Sequence, residues 1–552
     1  MLAEDIRILV QNALLESQKA GKLPTVTIDD YGIERPQDPQ HGDYATGLPM
    51  KMARTARMNP MEIAKILVGF IPDQDEISNV NVAPPGFINF TLSAEWLRDQ
   101  IQNILVQGMD FGNSTIGQGQ KVQIEYVSVN PTGPIHVGHG RVAVIGSALA
   151  MALDAAGFNV QREYYVNDGG NQMELFNSSL WARYQQELDV PAEMPENGYI
   201  GEYVSELARD LIEAHGQKFL DLPGDQASKE LGKIGMDKAL DQIKRDLERL
   251  NVTFDEWFSE LSLFSDNTYD TSMNTLREQG YVMEKEGALW FESTALGDDR
   301  DNVLVRSSGV PTYFAADMAY HYNKFGIRKF DRVIDVWGAD HQGHVPRMKA
   351  AVEALGYDPE KLDVITVQLV TLKRSEELLR LSKRRGEIIT LSELLDDVGP
   401  DACRYFFLIR SANTQMEFDL DLAKKEAPDN PVFYIQYAHA RIASIQRTAD
   451  EGNLSSEGAK LSLLVEPIEL SLIRKMLQLP EVINTVAVTL SPHSLAHYAQ
   501  ELATLFHDFY TQCRVITDDR ELTASRLLLV EATRLVLAKT LSLMGMTIPD
   551  RM

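Results

Sequence analysis

Residues 121–166 constrain this chain more than any other stretch. VQIEYVSV reads as a buried strand, NPTGP as a turn, HVGHGRVAVIGSALAMALDAAG as a helix and NVQREYYV as a second strand. Strand, helix and strand at this spacing commit the chain to a right-handed crossover and a parallel sheet. Further apolar strands recur at DRVIDVWG and DVITVQLV, separated by helical stretches such as ALDQIKRDLERL. The expectation is a doubly wound, Rossmann-like domain, interrupted by insertions, reaching to about residue 425.

A chain of 552 residues is too long for one core, so further domains flank this one. Residues 1–112 read as a small α+β unit. It has a helix over 3–18, the turn-rich ERPQDPQHGDYAT, a helix around MNPMEIAKIL and an alternating strand, GFINFTL. FGNSTIGQGQ (111–120) has the Gly, Ser and Asn of a linker. From NPVFYIQYAHARIASI onward the pattern is helical, and SRLLLVEATRLVLAKTLSLMG is its most strongly periodic helix. The expected division is 1–112, 113–425 and an all-α domain at 426–552.

Bulk properties exclude several classes. No apolar run approaches the roughly 18 residues of a spanning helix. The first residues, MLAEDIRILV, carry acids where an export signal carries bases. Two distant cysteines, Cys403 and Cys513, build no disulfide framework and fit a reducing cytoplasm. The net charge of −27 argues against indiscriminate nucleic-acid binding. From Asn430 onward, however, 11 basic residues face 13 acidic ones, so a local basic surface for RNA stays open there.

In a doubly wound sheet, ligands bind beyond the carboxyl ends of the strands, at helix N-termini. H-V-G-H lies at such a place, and His136 and His139, three apart, share one face of the first helical turn. Two imidazoles aimed at polyphosphate would stabilise charge developing during attack at phosphorus. Gly138 and Gly140 would leave room for a flat base or ribose. The same histidines also suit a cap or a core. The basic segment TLKRSEELLRLSKRRGE (371–387), with six Lys/Arg, reads as an exposed loop whose lysine would close over phosphates. A solvated charge run is the plainer alternative. The two motifs together, far apart in one α/β domain, are more specific than either.

H-V-G-H and R-L-S-K-R resemble the two ATP-handling motifs of class I aminoacyl-tRNA synthetases, written H-I-G-H and K-M-S-K-S. Val137, Arg380, Leu381 and Arg384 depart from them, whereas Ser382 and Lys383 match. NPTGPIHVGHGR, EYYVNDGGNQ, PTYFAADMAYH, VWGADHQGH and the closing TIPDRM are similar to the arginyl-tRNA synthetases of bacterial type, over essentially the whole chain. The resemblance implies arginine activation by ATP and transfer to the 3′-terminal adenosine of tRNA(Arg), releasing AMP and pyrophosphate. Catalysis would rest on His136, His139 and Lys383, and ATP binding on these with Gly138, Gly140 and Ser382. Arginine would be held by Ser128, Asn130, Tyr313, Asp317 and either Asp340 or His341.

A guanidinium needs carboxylates and acceptors, which suits Asp317 and Tyr313, four residues apart on one helix face. The family reads the anticodon near Tyr437 and Arg441, with Tyr434 and Gln436 alongside. It meets the tRNA elbow at positions matching Phe87 and Asn89. The implied cofactor is ATP with Mg2+ as a substrate complex, with no tightly bound protein metal. A monomer with tRNA, arginine and ATP as partners, and no membrane, is expected. A small-molecule adenylyltransferase or pantothenate-type ligase would share the H-x-G-H chemistry but has no use for a long helical domain. A non-catalytic RNA-binding relative would have no need of both histidines and the lysine.

Overall fold

The computed structural model describes residues 2–28, 31–375, 377–379 and 389–552. Its centre is a five-stranded parallel sheet. Across the sheet the strands run Leu362–Val367, Arg332–Gly338, Lys121–Tyr126, Asn159–Val166 and Glu256–Ser259. Numbered in chain order this is 5-4-1-2-3. The first strand therefore lies between the second and the fourth, and the crossovers leave it in opposite directions. That reversal opens a crevice beyond the carboxyl ends of the first and fourth strands.

The helix Val137–Ala155 packs flush on the first strand. A methyl group on Gly146 would lie 2.3 Å from Cγ of Tyr126. Two insertions carry apolar cores of their own. Gly170–Glu187, Glu202–His215 and Gly224–Arg249 enclose Phe176, Leu180, Tyr184, Phe219 and Leu231. Downstream of the third strand, an antiparallel sheet of Val282–Lys285, Ala288–Phe291 and Asn302–Val305 shares a second core with the helix Tyr313–Tyr322.

The N-terminal unit folds the strands Tyr44–Thr46, Phe87–Leu92 and Ile77–Ala83 into an antiparallel sheet beside the helices Leu2–Lys19, Leu48–Ala56, Pro60–Val68 and Ala94–Gln107. GFINFTL does not alternate cleanly: Ile88, Asn89 and Phe90 are all buried, because both faces of that central strand are covered. The glycine-rich 111–120 is no free tether. The N–H groups of Ser114, Gly117 and Gly119 donate to the carbonyls of Ala155, Ala156 and Gly157, so the segment is stitched to the end of the central helix.

DVITVQLV divides at Gln368. Its first half is the fifth sheet strand. Val370–Arg374 instead joins a separate sheet, parallel to Met416–Asp419 and antiparallel to Glu377–Leu379. The C-terminal helices are Pro431–Glu451, Pro467–Met476, Leu479–Thr489, His493–Gln512 and Arg520–Leu543. The last is buried around most of its circumference, Thr523 to Leu527 consecutively, and packs on Ala94–Gln107 of the N-terminal unit. It is a central beam rather than a one-sided surface helix.

Candidate active site

The crevice is built first by backbone. Directly after the first strand, Val127 and Ser128 both adopt positive φ, 73° and 41°. A β-branched residue there is strained and must be held by its surroundings. Two bonds hold it: the Tyr165 N–H donates to Ser128 Oγ at 3.1 Å, and the Tyr164 hydroxyl donates to the Val129 carbonyl at 2.8 Å. The turn thus delivers Asn130, whose amide donates to the side chain of Gln172 in the NDGGNQ loop beyond the second strand.

His136 is the N-cap of the central helix, and its Nδ1 accepts the Gly138 N–H at 3.1 Å. That bond fixes the tautomer with the proton on Nε2, a donor. The His139 ring stacks on it, centroids 3.6 Å apart. Gly138 sits against the His136 ring. Gly140 is buried on the opposite, packed side, where a methyl group would lie 2.8 Å from Leu391. Its missing side chain makes room for Leu391 and Phe407.

Ser382 and Lys383 lie outside the described residues. The chain on either side of that stretch is anchored at the histidine turn. Leu391 N–H donates to the Ile135 carbonyl at 2.7 Å, and Val137 N–H to the Ile389 carbonyl at 3.4 Å. On the other flank, the wholly buried Arg141 donates to the carbonyls of Gln368, Ser411 and Thr414 at 2.8–2.9 Å. These carbonyls mark where Val370–Arg374 and Met416–Asp419 begin. Burial lowers the guanidinium to about 10.

Across the crevice stands the helix Tyr313–Tyr322, capped by Thr312. Tyr313 is exposed beside Gly170, its hydroxyl 3.6 Å from where a methyl group on that glycine would lie. Asp317 is lower on the same helix. Burial pushes its carboxyl up to about 7, with Glu125, Glu260 and Asp335 adding repulsion and His321 opposing. Asp340 and His341 project from an exposed turn after the fourth strand, 3.6 Å apart.

The structure therefore brings Asn130, Gln172 and Tyr313 together and sets Asp317 beside Glu260, while the histidine turn opens the central helix and Asp340 and His341 lie on the turn after the fourth strand. Phe87 and Asn89 sit in the N-terminal sheet, Asn89 buried. Tyr437 and Arg441 sit on the helical domain, the guanidinium sandwiched between Tyr437 and Tyr510 at 4.4 and 4.6 Å from their ring centroids. Gln436 is spent inside, donating to Asp401 at 2.7 Å.

Sequence reasoning missed Glu260, a buried carboxylate on Glu260–Ser265 raised by burial, in the field of Asp317. It also missed Gln172, His321, Lys324 and Asp335. One signal was present: Asp335 interrupts the otherwise apolar run VIDVWG. Among the described residues, no group of three metal donors converges.

A parallel sheet in this order, with paired histidines at the switch point and a helical C-terminal domain, is the architecture of class I aminoacyl-tRNA synthetases. Family models agree in three segments: residues 4–92 match the arginyl tRNA synthetase N terminal domain, 100–423 the class I (R) tRNA synthetase catalytic domain and 435–552 the DALR anticodon binding domain. An arginine–tRNA ligase of Dehalococcoides mccartyi is 54% identical over 98% of both chains. One of Heliobacterium modesticaldum is 50% identical over 99% of this chain and 98% of that one. Among solved structures, a putative arginyl tRNA synthetase from Campylobacter jejuni superposes with a TM-score of 0.77 at 33% identity, covering 84% of this chain and all of that one. The Thermus thermophilus arginyl-tRNA synthetase shares the fold, with a TM-score of 0.79 at 22% identity over the whole of both chains. The chain belongs to the arginine–tRNA ligase family.

Proposed function

We infer that the protein joins L-arginine to tRNA(Arg) at the expense of ATP. The arginine carboxylate attacks the α-phosphorus of Mg-ATP, forming arginyl-adenylate as pyrophosphate leaves. The terminal adenosine 2′-hydroxyl of the tRNA then attacks the activated carbonyl, and AMP leaves. Positioning and charge neutralisation carry both steps. The observation that supports this reading best is the neighbouring pair of desolvated carboxylates, Asp317 and Glu260, in a fold whose central helix opens on a histidine turn.

In this reading His136 donates through Nε2 to a phosphate oxygen, with His139 stacked behind it and Gly138 against the nucleotide. Ser382 and Lys383 act on the departing pyrophosphate. Asp317 and Glu260 receive the guanidinium, and Tyr313 covers it. Asn130, held by Gln172, meets the amino-acid end. A pocket with two such acids discriminates strongly, because lysine or an apolar side chain leaves them unpaired. The Tyr437–Arg441–Tyr510 stack supplies flat faces and a fixed cation for unpaired anticodon bases. The Mg2+ arrives with ATP, and the reaction takes place in the cytoplasm.

The test is arginine-dependent exchange of pyrophosphate into ATP, with and without tRNA. Exchange that requires arginine is expected; folded protein giving none in either condition overturns the reading.

A further inference from the structure

Beneath the crevice lies a buried ionic cluster that the reaction as described does not use. Asn323–Ile327 forms a π-turn that continues the helix of Asp317, and π-turns re-aim a side chain by inserting one residue. Here the re-aimed residue is Lys324, wholly buried. Its Nζ donates to Glu125 of the first strand at 2.7 Å and to Asp335 of the fourth at 2.8 Å. The cluster reaches Asp317 through His321, whose Nε2 lies 2.9 Å from Asp335 and whose Nδ1 lies 2.8 Å from the Asp317 carbonyl. Two acids from the strands that flank the switch point are thus joined by one lysine.

We propose that Lys324 is a positioning residue for arginine recognition: by pairing with Glu125 and Asp335 it sets the charge beneath the helix that carries Asp317, and with it how that side chain receives a guanidinium. The proposal rests on the reading of Asp317 as an arginine contact. Lys324 is shared by the two carboxylates, and His321 faces Asp335 from the other side. At Asp317 the two acids oppose ionisation and His321 favours it, so a change of charge in the cluster is felt at that carboxylate. The groups facing Asp317 are Glu125 and Asp335 from the sheet, Tyr165 from the second strand, Glu260 from the helix across the pocket and His321 from its own helix.

Two substitutions separate this from a merely structural role, because they move the pH profile in opposite directions. Glu125→Gln removes one negative charge in an isosteric side chain and leaves Lys324 paired to Asp335. The acidic limb of kcat/KM for arginine, read in pyrophosphate exchange, is expected to move down by about one pH unit. Lys324→Met removes the lysine that both acids share and moves the limb up, with the KM for ATP unchanged in both variants. Should Lys324→Met not fold, Glu125→Gln carries the test. An acidic limb in Glu125→Gln that stays in place or moves up overturns the proposal.

A readout without substrate keeps this distinct from the ligase reading. The pH at which the melting temperatures of the wild type and Asp317→Asn diverge is expected to fall when Glu125→Gln is present in both. An unmoved divergence overturns the role of the cluster even if arginine exchange is intact. Loss of arginine dependence in the wild type overturns the ligase reading alone.

Discussion

If Asp317 receives the arginine guanidinium as proposed, its ionisation gates the substrate. Its carboxyl stands at about 7 rather than 3.8, burial being the main cause. A guanidinium pairs with the carboxylate, so binding below that value must first expel a proton. Arginine KM in pyrophosphate exchange is therefore expected to rise about tenfold per pH unit below pH 7, while the KM for ATP stays level. The stability consequence has a definite sign. A carboxyl raised in the folded state stabilises the fold fully below its ordinary value and loses that contribution as pH climbs through about 7. Asp317→Asn, free of arginine, should melt above the wild type at pH 8 by on the order of 2–4 kcal/mol and match it below pH 4. Glu260 was invisible in the sequence because its chemistry depends on Tyr165 and Asp168, some ninety residues away, and because the strand before it is only four residues long. Glu260→Gln is expected to raise arginine KM about tenfold, a loss typical of a hydrogen bond to a charged group, and to leave the KM for ATP unchanged. Equal effects on both substrates would remove Glu260 from the pocket.

Among the elements, the helix Val137–Ala155 shows what could and could not be seen in advance. Its existence, its place after the NPTGP turn and the strands on either side were legible, because long apolar runs broken by Pro and Gly leave few alternatives. DRVIDVWG was legible for the same reason, and NVQREYYV from its place after the helix. Four-residue strands such as Ala288–Phe291 and Met416–Asp419 show no period to read. The break at Gln368 was hidden because its cause is remote: Arg141, from the central helix, captures the Gln368 carbonyl and bends the chain into the second sheet. The glycines of this helix were legible as glycines but not in their purpose. Gly146 exists because Tyr126 occupies the space its side chain would fill. Gly146→Ala must push the helix off the strand and is expected to cost about 1–3 kcal/mol by urea unfolding. The same displacement moves His136, the N-cap of that helix, so exchange activity should fall with it. A stable variant of normal activity would show that the helix position does not matter at this precision.

At the scale of the molecule, the three segments matched by the family models share one apolar core. Ile6 and Leu14 of the first helix, Val122 and Ile124 of the central sheet and Leu537 of the last helix all belong to it. Polar ties close the seam between the N-terminal and helical domains. Arg35 grips Glu481 through two bonds of 2.7 and 3.1 Å while lying over the Tyr44 ring, and Arg474 reaches Asp43 at 2.7 Å. Lys539 of the last helix ties the helical domain to the start of the catalytic segment as well, donating to Asn113 at 2.8 Å. This arrangement could not be read from separate domain patterns, since each pattern is complete without its neighbour. It bears on function because a tRNA spans from anticodon to acceptor end, and surfaces on different domains must stay in register to meet it. Glu481→Ala leaves Arg35 about three-quarters covered and without its carboxylate, at a cost of about 2 kcal/mol for so partial a burial. Amide hydrogen exchange should then rise in Leu2–Lys19 and Tyr44–Thr46, while the strands Lys121–Tyr126 and Arg332–Gly338 keep wild-type protection. A uniform rise in all of them would mean that the shared core, rather than the seam, decides how the molecule opens.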